Sequence, residues 1–261
     1  MKRQQTSYHD LHRIFDQGIT VRDIAEPLAS FDANCPAEEA RKFMVDRDYD
    51  VIGVRADGEI QGYALAEDLT GGSVGDHLHE FIESEVLEQN DSLLVALAAL
   101  RDRSFACVRF LGEPSGIVTR GDLQKTPMRM WLFGLLSILE MQMLRWIRDT
   151  YPDSSWESHL SPERLEMARD LLLVRKERNE AIDLADCLEL SDKGKVFQRS
   201  DLLLSLTGSG SPRIWKSYMG KVVELRNTVA HGNDIPPDDW PGIAETIDAT
   251  EKILKHLENG I

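Results

Sequence analysis

Between positions 129 and 149 apolar side chains fall at 132, 135, 136, 139, 143, 146 and 147. This three-and-four spacing turns one face of a helix toward a core. Tyr151-Pro152 closes the pattern, because proline lacks an N–H and disfavours helical geometry in the residue before it. Ser161-Pro162-Glu163 then supplies an N-cap, a proline in the first turn and an acid beside it. That combination predicts a long helix running to about Leu190. Further helices are predicted over 195–206, from Ser211-Pro212 to the RNTVAHG stretch, and over 240–257. No strand pattern interrupts this half, so the expectation is an all-α bundle.

The first half is built from shorter pieces. An amphipathic helix over 37–45 leads to an apolar strand over 51–54, and a helix over 92–100 leads to a strand over 105–110. Sliding the chain against itself by 54 positions aligns GYALAEDL (62–69) with GIVTRGDL (116–123), and Gly58-Glu59 with Gly112-Glu113, without gaps. This is an internal duplication. Each copy reads as helix, apolar strand, glycine-containing turn and a second apolar strand ending near an acid, a small α/β unit present twice.

A chain of 261 residues has room for two domains, and 42% apolar with 29% charged residues is the composition of a folded protein. The expected division is an N-terminal extension over 1–20, a tandem unit over 21–127 with repeats at 21–80 and 81–127, and a helical domain over 128–261. Cys35, Cys107 and Cys187 lie far apart, without zinc spacing or the density of a disulfide scaffold. No apolar leader follows MKRQQTSYHD, and the longest apolar run stops at Glu140, short of a bilayer span. A cytoplasmic protein without a membrane segment is expected. A net charge of −15 argues against non-specific coating of nucleic acid. The stretch from Lys193 to Arg226 departs from that balance, with seven basic and two acidic residues. It reads either as a local basic patch or as a solvated helix face.

The duplicated order and the segment GIVTRGDL resemble the CBS domain family, over roughly 21–126. In that family two copies form a pseudo-symmetric pair whose clefts often bind adenine nucleotides. The resemblance implies an adenine nucleotide of the AMP, ADP or ATP kind, with Asp122 on ribose, Thr119 on a phosphate and Arg120 as a cation near the same mouth. The chemistry suits these residue types, since a carboxylate accepts ribose hydroxyls and helix-start N–H groups bind phosphate. In the first copy Asp68 is kept, but Leu65 replaces the threonine and Glu67 adds a repelling charge, so one competent site is expected. The competing account of Thr119 and Asp122 is that they merely cap the following helix. His77 and His79 share a strand face but have no identifiable third partner, so no metal site is expected.

ELRNTVAHGN (224–233) places Arg226, Asn227 and His231 within six positions and ends on Gly232, a natural helix C-cap. On an ideal helix Asn227 and His231 share a face, whereas Arg226 and His231 stand about 140° apart. Arg226 lies on the apolar side of its helix, and Glu140 lies beside the stripe of another, so a Glu140 to Arg226 pair is expected. R-N-x-x-x-H near the end of the fourth helix of a bundle resembles the HEPN domain. Many HEPN domains are metal-independent ribonucleases of bacterial defence and toxin systems that act as dimers. The resemblance implies Arg226 and His231 as catalytic residues, Asn227 as a supporting one, RNA as substrate, a homodimer and an antitoxin partner. Histidine moves protons near neutrality and arginine holds phosphate oxygens, so an RNA 2′-hydroxyl could be driven onto its own phosphate without metal. The whole chain then reads as a nucleotide-regulated endoribonuclease, a toxin or phage-defence effector. The alternative is a non-catalytic nucleotide sensor whose helical domain serves dimerisation or partner binding.

Overall fold

A computed structural model describes residues 13–15, 17–198, 211–235 and 239–259. The chain divides into two compact units, Asp16–Met128 and one built on Arg129–Ile261 together with Met1–Phe15.

The first unit runs β1 (Glu26–Pro27), β2 (Ser30–Asp32), α1 (Ala37–Arg47), β3 (Val51–Ala56), β4 (Glu59–Leu65), β5 (His79–Glu80), β6 (Leu87–Glu88), α2 (Leu93–Arg101), β7 (Phe105–Phe110) and β8 (Glu113–Thr119). Strands β7 and β8 begin and end 54 positions after β3 and β4, so the duplication seen in the residues is a duplication of structure. Two four-stranded sheets result, ordered β2-β3-β4-β5 and β1-β8-β7-β6. In each, a parallel strand precedes an antiparallel hairpin. The edge strands interlock the copies, because β1, near the start of the first repeat, pairs with β8 of the second.

The two hairpins turn through Asp57-Gly58 and Leu111-Gly112, whose φ angles are 52° and 87° in the first and 52° and 94° in the second. Two successive positive φ values match the twist of the flanking strands. The aligned glycines one strand turn later have a different role. A Cβ on Gly62 would sit 2.2 Å from the His79 carbonyl oxygen, and one on Gly116 would sit 2.3 Å from the Phe110 ring. Alternation along the strands buries Ile52, Val54 and Ala64 with Ala37, Ala40 and Met44 of α1.

The second unit holds most of α3 (Thr126–Thr150), then α4 (Pro162–Glu177), α5 (Leu190–Phe197), α6 (Pro212–Ala230) and α7 (Trp240–Asn259). Every position of the predicted stripe on α3, from Leu132 to Ile147, is buried. The helix is long and apolar enough to cross a membrane by composition, yet most of that window is buried within the protein. Its Trp146 packs on Phe197 at 4.6 Å between ring centroids, and Phe197 stacks on Trp215 at 5.1 Å. Trp215 donates its indole N–H to the Gly194 carbonyl at 2.8 Å.

Three expectations are corrected here. Helix α4 ends at Glu177 rather than near Leu190, because Asn179 adopts a left-handed φ of 59° and stops it. The next helix starts at Leu190 rather than 195; the remainder of the predicted 195–206 helix beyond Gln198 lies outside the described residues. Glu140 pairs with Lys193, at 2.7 Å, rather than with Arg226. Lys193 is almost wholly buried, so the carboxylate goes to the cation that needs it most.

Candidate functional sites

In the α/β unit a cavity of about 370 Å³ opens between the two repeats. Tyr63 from β4 and Phe105 from β7 wall it, with Phe81 and Ile82 from the connecting segment and Glu85, Asp102, Arg103 and Ser104 at polar positions. Tyr63 stacks on His79 at 5.2 Å, with the rings 17° from parallel, and meets Phe105 edge-on at 5.4 Å. Its hydroxyl is pushed up in pKa by burial first and then by the neighbouring Cys107 and Glu85, so it stays a neutral donor. Burial also pushes the Cys107 thiol up to about 12. Arg103 is the cation of the cleft, and its guanidinium is paired with Glu85. Ile82 is 57% exposed, an apolar side chain at an open mouth.

Thr119 and Asp122 adjoin this cavity without lining it. Thr119 is the ladder partner of Phe105. Asp122 accepts the Thr119 backbone N–H at 2.7 Å and its hydroxyl at 2.8 Å, and takes Lys125 at 2.9 Å on its other oxygen. Asp122 is buried, and Lys125 is in turn bonded to the Ile24 carbonyl at 2.7 Å and to Glu26. Arg120 points its guanidinium at the last carbonyls of α2, those of Leu100 and Arg101, both at 3.0 Å. The structure therefore brings Thr119 and Asp122 together and sends Arg120 to α2.

The same acceptance of a backbone N–H by an acid three positions later recurs along the chain, there as part of a reciprocal capping box. Asp23 accepts the Thr20 N–H at 2.7 Å, Asp76 accepts the Ser73 N–H at 2.8 Å and Asp186 accepts the Asp183 N–H at 2.9 Å. Each box starts a short turn of 3₁₀ helix. In the first repeat Asp68 is bonded instead to His79 Nε2, at 2.7 Å. His77 is bonded to the Gly71 carbonyl, and among the described residues no group of three or more His, Cys, Asp or Glu is placed to hold a metal.

On α6 the R-N-x-x-x-H residues separate as helix geometry requires. Asn227 and His231 are exposed and share a stripe with the exposed Arg213 and Lys216. Arg226 is half-buried on the opposite side, the side of Trp215, Met219, Val222 and Val229. Its Nε is buried and has no hydrogen-bond partner among the described residues. His231 is the C-cap, its N–H bonded to the Asn227 carbonyl at 3.0 Å, and Gly232 follows at a φ of 73°. The basic stretch is divided as well. Lys193 is taken by Glu140 and Lys195 by Asp192, which leaves Arg213, Lys216 and Lys221 at the surface; Arg199 lies outside the described residues. A cavity of about 490 Å³ beside α6 is lined by Lys221 together with Glu224, Asp234 and Asp239, and neither Arg226 nor His231 reaches it. Among the described residues, three carboxylates to one cation give it the wrong sign for an RNA backbone.

Tyr63, Ile82, Arg103 and Phe105 escaped the sequence reading. Each is unremarkable locally, and only the packing of one repeat on the other makes them a cleft. One signal was present: Tyr63 directly follows Gly62, whose bare backbone lets the His79 strand approach closely enough for the two rings to stack.

No family model matches the sequence, and no curated protein matches it. Solved structures do. A CBS domain-containing protein of unknown function from Bacillus anthracis is 22% identical over 41% of this chain and 91% of its own, with a TM-score of 0.37. The CBS-pair protein CBSX2 from Arabidopsis thaliana is 20% identical over 43% of this chain and 96% of its own, with a TM-score of 0.38, and CBSX2 has also been solved in complex with AMP. The CBS domain of a bacterial CNNM/CorC family Mg²⁺ transporter, solved with ATP, is 23% identical over 43% of this chain and 90% of its own, with a TM-score of 0.35. The chain itself has an α/β part with strands in two sheets, followed by a helical region.

Proposed function

We propose that the α/β unit senses an adenine nucleotide, and that the ligand is the monophosphate in preference to the triphosphate. The observation that carries this is the aromatic cleft between Tyr63 and Phe105, contributed by different repeats and about 370 Å³ in volume. That volume lies at the small end of ligand pockets and suits one mononucleotide. An aromatic wall offers a face or edge to a purine, and exposed Ile82 covers its other side. Arg103 supplies the cation for a phosphate in place of Arg120, whose donors are committed to α2. Glu85 and Asp102 stand in the same cleft, so each additional phosphate charge is resisted. Thr119 borders this wall, and it is the resemblance to the CBS family that makes Asp122, behind the wall and held by Thr119 and Lys125, the ribose acceptor of this reading. Leu65 and Glu67 leave the first repeat without an equivalent, so one nucleotide binds per chain. Thermal unfolding with AMP, ADP and ATP tests this. AMP should raise the midpoint most, and no shift with any of the three removes the proposal.

A second reading concerns the helical unit. R-N-x-x-x-H with a half-buried Arg226, whose buried Nε has no hydrogen-bond partner among the described residues, supports metal-independent RNA cleavage, since such an N–H needs a reason. His231 would transfer the proton, Arg226 would bind the phosphate and Asn227 would support them. One chain keeps Arg226 and His231 about 140° apart on their helix, so this activity requires a second copy. An antitoxin partner and a defence role belong to this reading alone. Incubating the protein with single-stranded RNA, beside His231→Ala, decides it; cleavage that survives the substitution contradicts the assignment.

A further inference from the structure

Helix α4 buries only Ala168 of its 16 residues. Met167, Leu171 and Val174 are 54%, 44% and 46% exposed. A helix of this length is marginal in water without tertiary support, yet this one carries a continuous apolar stripe facing outward. Its other sides are fastened by ion pairs, Arg164 to Asp192 and Glu189, Arg169 to Glu157 and Arg175 to Glu180.

The stripe is self-complementary when read backwards. Along one face the order is Glu163, Met167, Leu171, Val174 and Arg178. Antiparallel pairing about a two-fold axis between positions 170 and 171 places Glu163 against the partner's Arg178 and Met167 against the partner's Val174. Leu171 then lies beside the axis. A parallel pairing would instead set Glu163 on the partner's Glu163. Hydrogen bonds from its own backbone N–H and from Ser161 hold the Glu163 carboxyl below the usual carboxylate range, so it is charged at neutral pH.

We infer that this face of α4 is a homodimer interface, in which two copies of the helix pack antiparallel with Glu163 and Arg178 closing each end. A seam about 24 Å long is at the small end of specific interfaces, so the dimer dissociates on dilution. It forms whether or not the α/β unit binds a nucleotide.

Sedimentation velocity of the full chain across a wide concentration series tests it. Wild type should pass from monomer to dimer. Leu171→Asp should stay monomeric with an unchanged far-ultraviolet circular dichroism spectrum, since the side chain is already half-exposed in one chain. Glu163→Arg and Arg178→Glu should each weaken the dimer about tenfold, and the two together should restore it. Leu171→Cys should give a disulfide-linked dimer on mild oxidation that wild type does not form. A wild type that is monomeric throughout, a dimer indifferent to Leu171→Asp, or a double variant no better than the singles overturns the inference.

Discussion

Tyr63 of the first repeat meets Phe105 of the second edge-on, with 5.4 Å between ring centroids and 74° between ring planes. The contact joins the two copies and forms the wall of the cleft. Tyr63→Leu keeps the strand and removes the aromatic surface, so it should weaken AMP binding about tenfold. The folded α/β unit should persist. Titration calorimetry with wild type and variant measures the ratio, and equal affinities would place the base elsewhere.

Leu111 holds a left-handed φ of 52° in the second hairpin while its side chain is 93% exposed, so it endures the strain and packs on nothing. The first repeat has Asp57 there, a residue that tolerates the geometry. Leu111→Asn should stabilise the protein by about 1 kcal/mol, seen as a higher thermal midpoint. An unchanged or lower midpoint would mean that the turn is not built as described.

Lys193 and Glu140 are unequal partners. The lysine side chain is 5% exposed and the glutamate 30%. Lys193→Met leaves a carboxylate that can reach water, whereas Glu140→Gln strands a buried ammonium. Both should destabilise, Glu140→Gln by about 3 kcal/mol and Lys193→Met by less. Urea unfolding of the two variants gives the order, and the reverse order contradicts the burial argument.

Arg226→Met removes the buried Nε, which has no partner among the described residues, and keeps the stem. It should stabilise the helical unit by about 1 kcal/mol, measured by chemical denaturation. If the protein cleaves RNA, the same variant should lose that activity. Loss of stability would show that Arg226 is structural.

The periodic elements were legible in the sequence because burial follows period. The α3 stripe is buried at each position that the spacing marked, and the 54-residue offset reappears as matched strands. What was not legible depends on distant partners. Asn179 is of a type that tolerates the left-handed geometry ending α4, but asparagine also occurs within helices, so its identity alone does not mark the stop. Lys193 reads as part of a basic run until Glu140, on another helix, takes it inward. The T-x-x-D signal was ambiguous for a local reason: the chain closes short turns at Thr20, Ser73 and Asp183 with the same geometry as at Thr119. Arg226 and His231 were correctly placed on different faces, since that follows from the helix alone.

The most direct measurement is isothermal titration of AMP into the full chain, repeated with Asp122→Asn. Asp122 lies next to the ladder residue of the cleft wall and carries the proposed ribose contact. One site per chain is the predicted stoichiometry, with affinity reduced at least tenfold in the variant, a loss of about 1.4 kcal/mol. No binding to wild type, two equal sites per chain, or unchanged affinity in Asp122→Asn would contradict the nucleotide-sensing account.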